Sequence, residues 1–254
     1  MFIYWIAARA SVELLLTGSR TFVKAVPNLF SFIQKLFPPR RLIEHPDSFA
    51  LTRETLHAGI LDAIRLQQSL GKSVWLVCHF PDVFTQCQTM LDREWIHYQI
   101  VDRHTDLNWL QDNRSDLFSH VQLALSDMLV PEHWSGEVGE STPWLDGRMA
   151  MMVAERHPYG PRDESLVAFA ALFPATVEIG HYVSFDDPVL EQRIPPRAIE
   201  VLKSLGMQGN ELISSIAVSS RIQKQIRKES ATRQITEEAD SAAQWYEIHD
   251  RSNN

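Results

Sequence analysis

Four polar residues could form a reactive site where predicted strands of this chain end: His79, Asp82, His104 and Arg162. His79 and Asp82 directly follow a strongly apolar stretch, which is typical of a buried strand of a parallel sheet. Imidazole and carboxylate groups can act as general acids and bases, and a guanidinium can stabilise an anion. One hypothesis is therefore an enzyme that uses a cleft at this edge of the sheet.

The histidines also raise the question of a metal site. His79, His104 and His120 could converge at the carboxyl edge of a parallel sheet, where α/β proteins bind ligands. They lack the spacing of metal-ligand motifs, so a structural role is favoured. Cys78 lies within an apolar stretch, where a thiolate nucleophile is disfavoured. We therefore expect no metal, no cofactor and no catalytic residue.

Two short polar clusters have structural interpretations. Asp186 and Asp187 follow a predicted strand, where adjacent side chains point to opposite sides, so we expect helix caps and not a proton-sharing pair. The residues Glu155-Arg156-His157 follow another predicted strand. We expect a polar junction there, with Arg156 paired to a nearby acidic group; binding of an anion by Arg156 is the alternative.

Strands alternate with helices along most of the chain, which predicts an α/β fold with a parallel sheet flanked by helices. The expected strands cover residues 73–80, 97–102, 121–125, 149–154 and 176–184. The expected helices cover residues 52–70, 106–111, 165–173 and 195–206, begin at Pro81, and run from 213 to 226 with an extension to about His249. Residues 38–50, with three prolines, predict a linker, and residues 131–147 predict a long loop.

Composition is that of a globular protein, with 254 residues, 44% hydrophobic and 22% charged. The two cysteines form no disulfide framework and no secretory signal is evident, so we expect a cytoplasmic protein. The net charge of the whole chain is −8, and the residues after position 41 alone carry about −13. Such an acidic body lacks the basic footprint of nucleic-acid binding, and we expect no nucleic-acid partner.

Residues 1–41 are both basic and apolar, with six basic residues against one acidic residue. No charge-free run reaches the ~18 residues that a membrane-spanning helix needs, and Pro27 divides the segment. The segment either packs on the body as core helices or lies peripherally at the inner face of the membrane as an amphipathic element. The candidate residues for membrane or partner binding are Arg9, Arg20, Lys24, Phe30 and Phe32.

Several segments resemble, in order, the second RecA-like domain of SecA, the preprotein translocase ATPase. Glu155-Arg156-His157 resembles the family's "T-E-R-H", residues 182–190 resemble "F-Y-L-S-L-E-D-D-L-M", and residues 202–207 resemble a helix that ends "L-G-M". Between positions 155 and 187 this chain lacks one residue of the family's spacing. Weaker similarities are those of residues 71–78 to "G-x-P-V-L-V-G-T", 95–101 to "G-I-P-H-x-V-L" and 218–222 to "V-S-x-A-I".

The resemblance spans about residues 52–228 and implies a single RecA-like domain. We divide the chain into a basic apolar segment with its linker (1–50), a degenerate RecA-like domain (51–207) and a helical C-terminal extension (208–254). The family's first RecA-like domain, which carries the phosphate loop, has no expected counterpart in residues 1–51. Gly71-Lys72-Ser73 lacks the earlier glycine and the following helix of a phosphate loop.

The chain departs from the family where the ATPase chemistry lies. The family's "Q-x-x-G-R-x-G-R" helix corresponds here to Ser165–Phe173, with Val167, Phe169 and Leu172 where the arginines would be. Its "A-G-R-G-T-D" loop corresponds to Ser126–Pro131, which contains no glycine. Apolar side chains cannot neutralise the charge of a transferring phosphoryl group. The resemblance therefore implies a pseudo-ATPase.

These observations predict a non-catalytic, SecA-like binding or adaptor module with a protein partner. The context of protein export at the membrane is implied by the resemblance alone. Two alternatives stay open: one half of a composite ATPase that another chain completes, and an enzyme that uses the altered cleft.

Overall fold

The described part of the chain consists of one central sheet and the helices around it. A computed structural model describes residues 42–102, 105, 114–134, 148–173, 176–195, 211–232 and 237–251, with positions 197, 199, 200, 204 and 209. Its strands are β1 (Leu42–Glu44), β2 (Ser48–Ala50), β3 (Ser73–Cys78), β4 (Tyr98–Val101), β5 (Val121–Leu125), β6 (Arg148–Val153), β7 (Thr176–Ser184) and β8 (Ile213–Ser214). Its helices are α1 (Arg53–Ser69), α2 (Pro81–Arg93), α3 (Arg114–Ser119), α4 (Pro131–Trp134), α5 (Gly160–Leu172), α6 (Pro188–Glu191), α7 (Ile216–Ser230) and α8 (Ala242–Arg251).

The strands follow the order β4-β5-β3-β6-β7-β2-β8, and β1 also pairs with β7. All pairs are parallel except that between β2 and β8. All six residues of β3 are buried, as expected for a central strand covered on both faces. The predicted α/β class, a mostly parallel sheet flanked by helices, is confirmed.

Helices cover the two faces of the sheet with separate apolar clusters. Because side chains of a strand alternate between faces, Trp75 and Val77 of β3 face one cluster, and Leu76 and Cys78 face the other. Helices α1 and α2 pack on the second of these faces. Helix α5 packs on the first, where the ring of Phe169 lies 6.0 Å from that of Trp75.

Helix α5 begins at Gly160, five residues before the expected start at 165. Pro161 stands in its first turn, where a proline is tolerated because the N–H there has no helical partner. The longer helix places Asp163 in its first turn. Phe169 in this helix and Phe173 at its end are buried, and Val167 and Leu172 are half-buried.

The linker predicted over residues 38–50 is wrong for its described part. β1 lies beside the first half of β7 and β2 beside the second half, with Pro46 between them. Phe49 and Ala50 are buried, so this segment belongs to the sheet and its core. A proline does not exclude a strand at a break in the pairing, where no ladder hydrogen bond is lost.

The structure corrects two other expectations, one about where a loop begins and one about where a helix ends. The loop expected over 131–147 begins with α4, because Trp134 is buried and its indole N–H donates to the Met128 carbonyl oxygen at 3.0 Å. The extension of the last long helix to His249 is wrong, since α7 ends at Ser230 and a separate helix begins at Ala242.

Some expectations lie outside the described residues. These are the short helix at 106–111, residues 135–147, and the whole segment 1–41 with Arg9, Arg20, Lys24, Phe30 and Phe32. Of the helix expected over 195–206, positions 197, 199, 200 and 204 are helical, position 195 is not, and the others lie outside the described residues. Among the described helices, none combines the length and apolar character that crossing a membrane requires.

Candidate functional site

The carboxyl ends of β3 and β6 form the crevice where a ligand site is expected. These two strands are neighbours, but the chain leaves β3 into α2 on one face of the sheet and β6 into α5 on the other. In open α/β sheets, ligands bind at such a point, where the connections diverge. The residues that line it here follow the two strands: His79 and Phe80 after β3, and Glu155, Arg156 and His157 after β6.

The Glu155 carboxyl fills this crevice from within. Its Oε1 accepts hydrogen bonds from the backbone N–H groups of His79 at 2.9 Å and Phe80 at 3.1 Å. Phe80 is the N-cap residue of α2, and a helix N-terminus is a favourable place for a phosphate or another anion. Burial, and secondarily the charge of Asp187, raise the pKa of Glu155 well above its usual range. The two N–H groups that lead into α2 are thus occupied by a side chain of the same chain.

The Arg156 guanidinium is buried and held by two carboxylates. Its Nη2 lies 2.5 Å from Oδ1 of Asp47, and its Nη1 lies 2.7 Å from Oδ2 of Asp163. Asp47 belongs to the connection between β1 and β2, so the pair ties the edge of the sheet to the first turn of α5. The predicted polar junction is confirmed, with acidic partners from other elements.

The pKa values of the two carboxyl groups shift in opposite directions, although both groups contact the same guanidinium. Burial raises the pKa of Asp47 more than Arg156 lowers it. For Asp163 burial also acts to raise the pKa, but contacts led by the Arg156 guanidinium hold that pKa well below its usual range. Two acidic groups against one guanidinium leave this buried cluster short of one positive charge.

Two histidines complete the cluster around Asp163. His79 Nε2 lies 2.8 Å from Oδ1 of Asp163, without the alignment of a hydrogen bond, and His79 Nδ1 lies 3.0 Å from Oγ of Ser126. His181 Nε2 lies 3.8 Å from the same Oδ1 and has no hydrogen-bond partner. Burial, and secondarily Arg156, lower the pKa of His181 well below its usual range, so a neutral imidazole is favoured.

A cavity of about 310 Å³ borders this cluster. Arg156, Asp163 and His181 form part of its wall, and α7 contributes Ser219 and Gln223. The cavity therefore gives the buried cluster an approach from outside the sheet.

A second cavity, of about 160 Å³, lies on the other side of His79. His79, Ser126 and Arg162 line it together with the C-terminal segment 237–240. That segment is attached to α2, because the Asp82 N–H donates to the Asp240 carbonyl oxygen at 3.1 Å. The C-terminal segment thus covers the carboxyl edge of the sheet.

The sequence-based candidates are brought together only in part. His79 and Arg162 line the second cavity, and Asp82 stands beside it, but its Oδ1 accepts from its neighbour Val83 at 2.7 Å. His104 lies outside the described residues. His120 precedes β5, at the opposite edge of the sheet from His79, so the predicted approach of these two histidines is wrong.

The remaining candidates have the expected structural roles. Asp187 caps α6 by accepting from the Val189 N–H at 2.8 Å, and Asp186 accepts from the Arg53 N–H at the start of α1. Cys78 is buried, and burial followed by the neighbouring Cys87 raises the pKa of its thiol well above the usual range.

Sequence reasoning missed Asp47, Asp163 and His181. A signal existed for His181, because it occupies a buried position in the alternating pattern of β7, where an ionisable residue is unusual. For Asp163, the signal was the Gly160-Pro161 pair, which marks an earlier start of α5.

No protein-family model matches this sequence, and a search of curated proteins gives no match. Matches among solved structures include the C-terminal part of a Fun30 ATPase domain, 17% identical, with a TM-score of 0.36. The match covers 70% of this chain and 56% of that chain, so this chain spans little more than half of its length. This likeness concerns the fold alone.

Proposed function

We propose that this chain is a non-catalytic, SecA-like protein that acts as an adaptor by binding a protein partner. The observation that carries the proposal is the Glu155 carboxyl on the N–H groups at the start of α2. A nucleotide phosphate would need those donors, and a carboxyl from the same chain already uses them.

The arginines near the crevice support the same conclusion. Arg156 is committed to Asp47 and Asp163. Arg162 lies 3.5 Å from Glu238 at the partly exposed surface. Along the rest of α5 the side chains at the family's arginine positions are apolar, and Phe169 is in the core. Apart from Arg162 in its first turn, α5 therefore carries no guanidinium that could supply the charge stabilisation of phosphoryl transfer.

The partner-binding element in this proposal is the basic, apolar segment 1–41. Its charge is opposite to that of the rest of the chain, so it suits a partner or membrane surface of acidic character. The link to protein export, the peripheral membrane position and the cytoplasmic location rest on the resemblance to SecA and are part of the proposal.

Calorimetric titration with ATP and Mg²⁺ tests the non-catalytic half of the proposal. We expect no hydrolysis and no binding with a dissociation constant below about 100 μM, equivalent to about −5.5 kcal/mol. Tighter binding by the chain alone would refute it. Binding that appears only after a second chain is added would favour the composite ATPase.

Photo-crosslinking tests the adaptor half. A photoreactive residue at Phe30 or Phe32 should yield a discrete protein adduct, whereas one at Trp95, which is 90% exposed on the body, should not.

Co-sedimentation with anionic vesicles distinguishes a membrane from a protein partner. If the membrane is bound, reversing Arg9, Arg20 and Lys24 to glutamate should abolish sedimentation, since each basic residue near anionic lipid contributes ~1 kcal/mol. Adducts at Trp95 alone would contradict a binding role of the segment.

A further inference from the structure

We propose that His79, Asp163 and His181 form a zinc-binding site. One ligand atom from each of the three residues lies within 4.8 Å of the other two, and all three residues are buried. The inference is independent of the adaptor role and goes against the expectation, from the sequence, of no metal.

The separations of the ligand atoms fit a small cation. Two ligand atoms each about 2.05 Å from a tetrahedral zinc lie about 3.3 Å apart. The observed separations from Asp163 Oδ1 are 2.8 Å to His79 Nε2 and 3.8 Å to His181 Nε2, one shorter and one longer than this value. Movements of about 0.5 Å would bring both to the zinc geometry.

The histidine nitrogens lack the partners that buried polar atoms normally have. His181 is 5% exposed, and its Nε2 has no hydrogen-bond partner. His79 Nε2 is close to Asp163 but not aligned with it as a hydrogen-bond donor. A buried donor or acceptor without a partner is destabilising, so such groups call for an explanation. One cation between them would satisfy both nitrogens.

The ligands are oriented by surrounding groups, as those of metal sites are. His79 Nδ1 is 3.0 Å from the Ser126 hydroxyl oxygen, which can accept a hydrogen bond from Nδ1–H and so leave Nε2 unprotonated as a ligand. Asp163 Oδ2 accepts from Arg156 at 2.7 Å, and its Oδ1 also accepts from the His157 N–H at 3.2 Å. These contacts fix the carboxylate plane while one lone pair of Oδ1 remains for the metal.

The ligand set and the charges favour a transition-metal ion such as zinc over magnesium and calcium. Two imidazole nitrogens and one carboxylate suit zinc, whereas magnesium and calcium prefer oxygen ligands alone. The buried carboxylates of Asp47 and Asp163 face one guanidinium, so a cation supplies missing positive charge. The cavity of about 310 Å³ beside Asp163 and His181 provides the entry path and a fourth position for water or hydroxide.

The test is a metal titration of the full-length chain after treatment with a chelator. Co²⁺ reports a tetrahedral site by its visible absorption, and competition with a chromophoric chelator gives the Zn²⁺ affinity. We expect one equivalent of Zn²⁺ bound at micromolar concentration or tighter. His79→Gln and His181→Gln should each weaken binding at least 100-fold, while His97→Gln, at an exposed histidine, should leave it unchanged.

Ser126→Ala keeps the test decisive if a histidine variant does not fold, because Ser126 is only half-buried and is not a ligand. We expect it to weaken Zn²⁺ binding 10–100-fold, as loss of an orienting partner does, with an unchanged circular dichroism spectrum. The proposal is overturned if the unaltered chain binds no Zn²⁺ at roughly 10 μM. It is also overturned if the folded His79, His181 and Ser126 variants bind like the unaltered chain.

Discussion

Oε1 of Glu155 lies 3.1 Å from the backbone nitrogen of Phe80, the N-cap residue of α2. The same oxygen accepts from His79, so one side chain that follows β6 satisfies two N–H groups that follow β3. The contact joins the two strands at the point where their connections diverge to opposite faces. It closes the crevice where α2 begins, while the N–H groups of Asp82 and Val83 in the first turn donate to the Asp240 carbonyl oxygen and the Asp82 carboxylate.

Glu155→Ala should therefore destabilise the fold markedly. The change leaves two buried N–H donors without an acceptor, at a cost of roughly 2–5 kcal/mol. Glu155→Gln is the matched control, because its amide oxygen can accept both hydrogen bonds and it carries no charge to bury. Urea denaturation at neutral pH should rank the glutamine variant well above the alanine variant. Equal losses in the two variants would show that the acceptor oxygen is unimportant.

A second prediction concerns the buried guanidinium. Arg156→Met removes the partner of Asp47 and Asp163 and should cost about 3–5 kcal/mol of unfolding free energy. Arg65→Met is the control: Arg65 lies 2.9 Å from Glu94, but its side chain is 52% exposed. Exposed pairs contribute only about 0–1 kcal/mol, so this variant should unfold almost like the unaltered chain. Similar losses for Arg156→Met and Arg65→Met would contradict the buried role of Arg156.

The sequence predicted those strands and helices whose formation depends mainly on the pattern of their own residues. The apolar run of β3, the amphipathic α1 ended by Gly71 and the alternation of β7 each carry their signal within one stretch. At Gly71 the φ of 70° explains the choice of glycine. The segment 42–50 gave no such signal, because its two strands are three residues long and take their stability from β7.

The candidate site depends on contacts between distant parts of the chain. Asp47 and Arg156 are separated by 109 positions, and no local pattern predicts that they meet. Glu155-Arg156-His157 could be placed at the end of a strand, but the partners of these residues follow from the order of strands in the sheet. Because α5 begins at Gly160, Asp163 lies in its first turn and belongs to the site. The later start at 165 that the sequence predicted would have placed Asp163 in the preceding loop.

A third prediction tests the apolar replacement of the arginine-bearing helix. Phe169 is fully buried, and its ring lies 5.3 Å from that of Trp134 and 6.0 Å from that of Trp75. Phe169→Ala should cost about 3–5 kcal/mol through lost burial and a residual cavity. Val167, half-buried on the same helix, is the control, and Val167→Ala should cost clearly less. A loss under about 1 kcal/mol for Phe169→Ala would mean that α5 is held mainly by other contacts.

The last prediction concerns the pH dependence of stability through Asp187. Its pKa is raised from 3.8 to about 6, chiefly by burial, although the Val189 N–H and Arg53 act in the opposite direction. The folded chain therefore holds a proton on Asp187 at pH values where the unfolded chain has lost it. The stabilising contribution of this proton is complete below about pH 3.8, declines as the pH rises to about 6, and is then absent.

Asp187→Asn removes this titration and retains a side-chain oxygen that can cap α6. A difference of about two pKa units corresponds to about 3 kcal/mol, so the stability of the asparagine variant relative to the unaltered chain should improve by roughly 2–3 kcal/mol between pH 4 and pH 7. Urea denaturation of both proteins across this range measures the difference, in which most other titrating groups cancel. If the Arg53 side chain, 3.6 Å from Asp187, dominated instead of burial, the asparagine variant would lose relative stability as the pH rises. The sign of the change therefore decides between desolvation of the carboxyl and its attraction to Arg53.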